Sequence, residues 1–345
     1  MIKIIARLFS PIVISLGLVL ATSTAHAQGA LEKPKITIAV GGKSLFYYLP
    51  LTIADQLGYF KAEGLTVEIV DFPGGAKALQ AMVGGSADLV SGAYEHTINM
   101  QAKGIMIASV ALQGRYSGMV LGLSKAKAAT YKSAKDLQGM KIGVTAPGSS
   151  TNMFVNNLLT KEGLKPDAVA IIGVGATAGA VAAMRSGEID AISNLDPVIT
   201  QLESAGDIVV VADSRTAEGM QAIYGGAYGA GCIYAPLEFV KKNPNTTQAV
   251  ANAIVRALRW IQKATPEQIV AAVPPEYYGA DKAMYHAALV KNLPGYSPDG
   301  RMSMAGAQNV YKVLKAFEPS VMTAKVDLSK TFDNSFVERA LKKYP

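Results

Sequence analysis

Two stretches of this 345-residue chain share one small pattern. Phe72–Gly92 reads FPGGAKALQAMVGGSADLVSG, and Gly173–Asn194 reads GVGATAGAVAAMRSGEIDAISN. Each is a glycine-opened loop, a short apolar helix pattern, a glycine stop, and then a strand-like run behind an aspartate. Aligning Met82 with Met184 sets Ala78 on Ala180, Ala81 on Ala183, Gly85 on Gly187, Asp88 on Asp190 and Ser91 on Ser193. Glu63-Gly64-Leu65 and Glu162-Gly163-Leu164 repeat in the same order. A period this long excludes a solenoid and calls for two copies of a whole lobe.

The surrounding pattern is α/β. KITIAV (Lys35–Val40) alternates as a strand, and LTIADQLGYFKAEGL reads as one helix burying Leu51, Ala54, Leu57 and Tyr59/Phe60, with Gly64 as its stop. TVEIVDF, the quoted helix and ADLVSG complete β-α-β-α-β, the start of a parallel sheet. The order restarts at Lys141–Val144 and runs through AVAIIGV to IDAIS. Between the copies lies VALQGRYSGMVLGLSK, and after the second lies YGGAYGAGCIYAPLEFVKKNP; both read as crossings between lobes. The last third is helical: Val250, Ile254, Leu258 and Ile261 form one stripe, and Thr265-Pro266-Glu267 opens a further helix.

Ligands of open α/β sheets sit beyond the carboxyl ends of the strands. The loops expected there are GGKSLFYYLP, FPGGAKA, SGAYEH, APGSSTN, GVGATAG and SNLDP. The first copy offers Ser44, Phe46, Tyr47, Tyr48, Gly74, Gly75, Ala76, Gly92 and Tyr94; the second offers Gly148, Ser149, Ser150, Thr151, Gly175, Asn194 and Asp196. Glycines let a ligand approach the backbone, helix N-terminal amides favour an anionic group, and tyrosines wall an apolar part. The expectation is a polar end held between Gly148–Thr151 and Gly74–Ala76, covered by Phe46–Tyr48. Arg115, in the first crossing, is a candidate partner for an acidic ligand.

Other chemistry is thin. Charged residues make up 17% of the chain and the formal charge is +7, without the dense basic runs of nucleic-acid binding. GVGATA matches a dinucleotide fingerprint, with Asp196 downstream, but follows the second strand of its lobe, and its repeat partner lacks the pattern. His96 and His286 sit apart from any cysteine pair, so neither zinc nor another cofactor is expected. His96 reads as an ordinary core or surface residue beside Glu95, and Cys232, the single cysteine, as a small packed residue without a disulfide. NTT at Asn245 is a formal glycosylation sequon. At the start, Lys3 and Arg7, the apolar run Phe9–Leu20 and Ala25-His26-Ala27 read as a cleavable signal peptide rather than a span.

Read together, the signal peptide, Y-x-P-x-x-x-A-x-x-x-G-Y-F-x-x-E-G-L (Tyr48–Leu65), Gly74-Gly75 with Gly85 and Asp88, L-x-G-x-x-I-G-V (Leu137–Val144) and G-E-I-D-A (Gly187–Ala191) resemble the nitrate/sulfonate/taurine class. These are ABC-transporter substrate-binding proteins with the thiamine-pyrimidine-synthase-like domain. The resemblance implies a type II periplasmic binding fold of two α/β lobes, each a mostly parallel sheet flanked by helices, joined by a two-segment hinge. It places lobe 1 at 28–120 and 228–345, and lobe 2 at 121–227. It implies a periplasmic monomer that binds a small-molecule solute and delivers it to an inner-membrane permease with its ATPase. A small organic anion, a sulfonate or aromatic carboxylate, is the expected solute; the alternative is a neutral heterocycle such as a thiamine pyrimidine precursor. The enzymatic relatives use a cysteine cluster and a reactive histidine. This chain has one cysteine, so a pyrimidine-forming or NAD-dependent enzyme is the less favoured class.

Overall fold

The structure, a computed structural model, describes residues 29–345; the expected signal peptide lies outside the described residues. Ten strands form two sheets of five. The first contains β1 (Lys35–Val40), β2 (Thr66–Asp71), β3 (Leu89–Ala93) and β4 (Ile107–Leu112). The second contains β5 (Val120–Ser124), β6 (Lys141–Val144), β7 (Ala170–Gly173), β8 (Ala191–Asn194) and β9 (Ile208–Asp213). The chain then returns to the first sheet as β10 (Gly231–Pro236).

The orders are β2-β1-β3-β10-β4 and β7-β6-β8-β5-β9, the same arrangement twice. In each, three strands run parallel and the strand delivered by a crossing inserts antiparallel in fourth place: β10 between β3 and β4, β5 between β8 and β9. The crossings run between Leu112 and Val120 and between Asp213 and Gly231. Each lobe therefore borrows one central strand from chain that has just left the other, so each sheet is completed by a strand that a crossing delivers.

Strand burial follows position. Ile36, Ile38, Val40, Leu89 and Val90, in strands covered on both faces, are almost wholly removed from water. Helix Pro244–Lys263 lies against Leu49–Gln56 and Ser335–Lys343, burying Val250, Ile254, Leu258 and Ile261 as the stripe requires. Helix Pro266–Ala272 starts at Thr265, whose hydroxyl accepts from Gln268 N while the Gln268 side chain reaches back, a capping box.

One expected helix is two. Leu49–Gln56 stops, Gly58 turns left-handed at φ 68°, and Tyr59–Ala62 begins a new turn. The periodicity carried across the break because Leu51, Ala54 and Phe60 reach the same core from both pieces. The glycine in the middle was the overlooked signal.

The sheet interior carries the fold's stability. Ile38 is fully buried, at the centre of β1 between two parallel neighbours. Ile38→Ala removes buried methyl groups and leaves a cavity, so it should cost about 2–5 kcal/mol. The expected reading is a lower urea midpoint at unchanged slope.

Candidate functional site

The carboxyl ends of both sheets point at each other, and the repeated loops meet there. They fasten to one another rather than flanking an open gap. Ala76 N, in the first turn of helix Gly75–Val83, donates to Ser149 Oγ at 3.0 Å. Phe46 N donates to the carbonyl of Asp196 at 3.0 Å. The pairing is crosswise: the loop after β1 meets the loops after β7 and β8, and the loop after β2 meets the loop after β6. This is what a repeated lobe facing its own copy produces.

Glycine makes that seam possible at two places. Gly42 has φ 96°, and a Cβ on it would lie 2.4 Å from the Ala176 Cβ. A Cβ on Gly74 would lie 2.9 Å from the Ala146 Cβ and 3.0 Å from the Ala146 backbone nitrogen. Residues Leu31–Pro345 consequently cluster as one unit.

The remaining loop residues take varied places. Ser44 is half-buried just before the single turn Phe46–Tyr48. Phe46 is buried against Tyr285, with ring centres 4.6 Å apart, and its carbonyl accepts from Tyr296 Oη. Tyr48 is buried edge-on to Tyr47, whose hydroxyl has no partner. Thr151 Oγ1 accepts from Thr145 N, and the Thr151 carbonyl accepts from Ser193 Oγ; Asn194 Nδ2 donates to the Gly175 carbonyl. Ser150 begins helix Ser150–Lys161, half-buried, and Gly148 N donates to Asn152 Oδ1. The seam thus uses several of the amides and hydroxyls expected to hold a ligand.

Four expected residues lie elsewhere or are already committed. Arg115 is exposed; its Nε donates to the Pro294 carbonyl at 2.9 Å and its guanidinium stacks on Tyr116. Tyr94 is fully buried in the core, its hydroxyl bonded to Thr331. Gly92 is sealed within β3 under Tyr234: a Cβ there would lie 2.8 Å from that ring. Asp196 is a structural carboxylate, accepting from Thr200 N, Arg215 Nη1 and Asn292 Nδ2. Arg215 is divided between Asp196 at 3.1 Å and Asp213 at 2.6 Å. A buried charge needs such partners.

The sequence reading passed over the polar groups behind the seam. Glu95 begins helix Glu95–Ala102 and is 1% exposed. Its Oε1 accepts from Tyr228 Oη at 3.2 Å, and its Oε2 has no partner. Burial, without any compensating cation, pushes this carboxyl up to about 7. Beside it, His96 is a core histidine with Nδ1 3.0 Å from Tyr234 Oη, and burial pushes it down to about 4. Gln113, in the first crossing, donates to Ser91 Oγ at 2.9 Å and leaves Oε1 unpaired. Tyr224 and Tyr228 stack at 4.0 Å between ring centres. Tyr47 also lines a small cavity of about 20 Å³, with Gly114, Gly118, Leu195, Arg215 and Tyr296 among its other walls. Cys232 is fully buried and its thiol is pushed up to about 12, which leaves it an inert packed residue. Among the described residues no cluster of His, Cys, Asp and Glu is arranged to hold a metal ion.

Two lobes of equal topology, joined by two crossings and closed carboxyl end to carboxyl end, define the periplasmic-binding-protein fold. The family comparison narrows this. Residues 46–269 match the model described as NMT1/THI5 like, and the chain belongs to that family. It is 57% identical to a protein of Bordetella bronchiseptica RB50 of known structure, over 92% of this chain and 99% of that one, at a TM-score of 0.89. The alkanesulfonate-binding protein SsuA from Xanthomonas axonopodis pv. citri, solved with MOPS, is similar in fold: TM-score 0.71, 18% identity, 89% of this chain and 100% of that one. The 4-amino-5-hydroxymethyl-2-methylpyrimidine phosphate synthase THI13 of Saccharomyces cerevisiae is 24% identical over 67% of this chain and 68% of its own length.

Two tests follow. Gly74→Ala should force the seam apart at the Ala146 backbone, so small-angle scattering should give a larger radius of gyration for the free variant than for wild type. The second concerns pH. Glu95 is raised from 4.5 to about 7, so the stability that its neutral form contributes is present below 4.5 and lost as pH rises through 7. His96 is lowered from 6.5 to about 4, so its contribution is present above 6.5 and lost as pH falls through 4. Each amounts to about 3 kcal/mol, and the two oppose each other where their windows overlap. Wild-type urea midpoints should therefore vary little between pH 4.5 and 6.5 and decline above. Glu95→Gln should unmask the histidine, giving midpoints that fall as pH drops through that range.

Proposed function

We propose that the protein is the exported solute-binding component of an ABC importer. It takes a small organic molecule between its lobes and presents the closed form to an inner-membrane permease with its ATPase. The carrying observation is the seam: a closed two-lobe body whose facing loops hold one another by a few hydrogen bonds, with buried, unpaired polar groups behind them. A ligand contacting both lobes would favour this closed state over an open one. The bodies that would move are 28–120 with 228–345, and 121–227, turning about the two crossings. A monomer in the periplasm, released by cleavage after Ala27, completes the reading. Among the described residues no helix is long and apolar enough to cross a membrane.

The protein is proposed to be non-catalytic. Its one cysteine is inert and fully buried, and His96 is held neutral in the core. The enzyme reading carried by the THI13 likeness would need turnover from groups that these two do not supply.

Of the two solute classes expected from the sequence, the unpaired groups support the second, a neutral heterocycle such as a thiamine pyrimidine precursor. An organic anion, sulfonate or aromatic carboxylate, wants a free cation. Arg215 is fully paired and Arg115 lies on the surface. The unpaired groups behind the seam are instead dominated by acceptors, amid flat tyrosine faces.

Mass spectrometry of small molecules released from freshly purified protein tests the reading. We expect one stoichiometric organic solute, and N-terminal sequencing of periplasmic material beginning at Gln28. Turnover of a bound pyrimidine or nicotinamide compound, or a chain retaining Met1 in the cytoplasm, would contradict it.

A further inference from the structure

Three residues that each bury a polar atom without a partner adjoin one dipeptide, Ala230-Gly231, through the backbone and, for Tyr47, through its ring. The carbonyl of Ala230 accepts from Tyr94 N, next to Glu95. The carbonyl of Gly231 accepts from Gln113 N at 2.6 Å and Gly114 N at 3.0 Å. A Cβ on Gly231 would lie 3.2 Å from the Tyr47 ring. Glu95 Oε2, Gln113 Oε1 and Tyr47 Oη therefore hang from neighbouring points around the start of β10, and each is buried without a hydrogen bond. Leaving one such group unsatisfied costs roughly 1–3 kcal/mol, more for a carboxylate, so three together mark a place kept polar for something other than stability.

We propose, building on the solute-binding reading, that Glu95 is the specificity-determining anchor of this site, and that with Gln113 and Tyr47 it selects a small flat ligand bearing N–H donors, an amidinium or protonated amino-heterocycle, over an oxyanion. Two of the three atoms are obligate acceptors, Glu95 Oε2 when ionised and Gln113 Oε1, while the tyrosine can serve either way. The groups facing Glu95 are Tyr47, Tyr48, Tyr224, Tyr228, Cys232 and Tyr234, each of which feels its charge. All are neutral near pH 7, and no lysine or arginine offsets the carboxylate. A ligand cation would supply the missing partner, and the tyrosine faces would hold its ring. Asp196 shows the contrast within the same chain: a buried carboxylate meant for structure is met by Arg215 and Asn292.

Calorimetry with benzamidine, 2-aminopyridine and benzenesulfonate tests this on the full mature chain. The expected result is saturable binding of benzamidine, tighter than that of benzenesulfonate. Its affinity should rise about tenfold between pH 6 and 8 as Glu95 ionises near 7. Glu95→Gln should weaken benzamidine at least tenfold, about 1.4 kcal/mol, and abolish the pH dependence. The variant should melt no lower than wild type at pH 8, since it loses an unpaired buried charge, which excludes misfolding as the cause. Failure of benzamidine to bind, equal binding by wild type and Glu95→Gln, or preferential binding of benzenesulfonate overturns the inference. The solute-binding reading survives those outcomes whenever the purified protein carries another solute. It fails only when no solute is found and none of the probes binds.

Discussion

The structure depends on a close approach of backbone to backbone. Loops after β1 and β2 meet loops after β7 and β6 at distances that a side chain on Gly42 or Gly74 would forbid. The loops are fastened by single hydrogen bonds such as Ala76 N to Ser149 Oγ. Each such bond is worth about 0.5–1.5 kcal/mol net. A well-fitted seam of this kind suits the lobe opening proposed above. First-lobe glycines are the means: Gly42 and Gly74 present bare backbone to Ala176 and Ala146 of the second lobe.

The same chain treats its buried acids in opposite ways. Asp196 is enclosed by a backbone amide, a guanidinium and a carboxamide, and Arg215 is itself divided between two aspartates. That network ties the loop after β8 to helix Lys282–Asn292 and so spans the two lobes. Glu95 has one side-chain partner, the Tyr228 hydroxyl, and leaves Oε2 unpaired. Burial cost is similar for both; only the pairing differs. The difference separates a group that holds the protein together from one that remains available to a ligand.

Much of the architecture was legible because it rests on periodic burial and repetition. Lys35–Val40 and Lys141–Val144 fall where alternation put them, and the stripe through Val250 and Leu258 is the buried face of helix Pro244–Lys263. The site was less legible. Position within a loop brought Tyr47 and Ser149 to the lobe boundary, but loop composition does not say which amides are used up by the opposite lobe. Tyr94 and Asp196 looked like site residues because they follow strand ends; Thr331 and Arg215, distant in sequence, claim them. Glu95 sat in an inspected loop, SGAYEH, yet a lone glutamate gives no sign of burial. Only the fold reveals that Tyr228 is its single hydrogen-bonding side chain.

The central claim is that the lobes form two separable bodies whose glycine seam must open to admit a solute. Spin labels at exposed Lys77 and Ala182, one on each lobe, report it most directly through their distance distribution. The account predicts a mixture of a short and a long distance in solute-free protein, collapsing to the short one when the co-purified solute is restored. A single distance, unchanged by removing or restoring that solute, would contradict it.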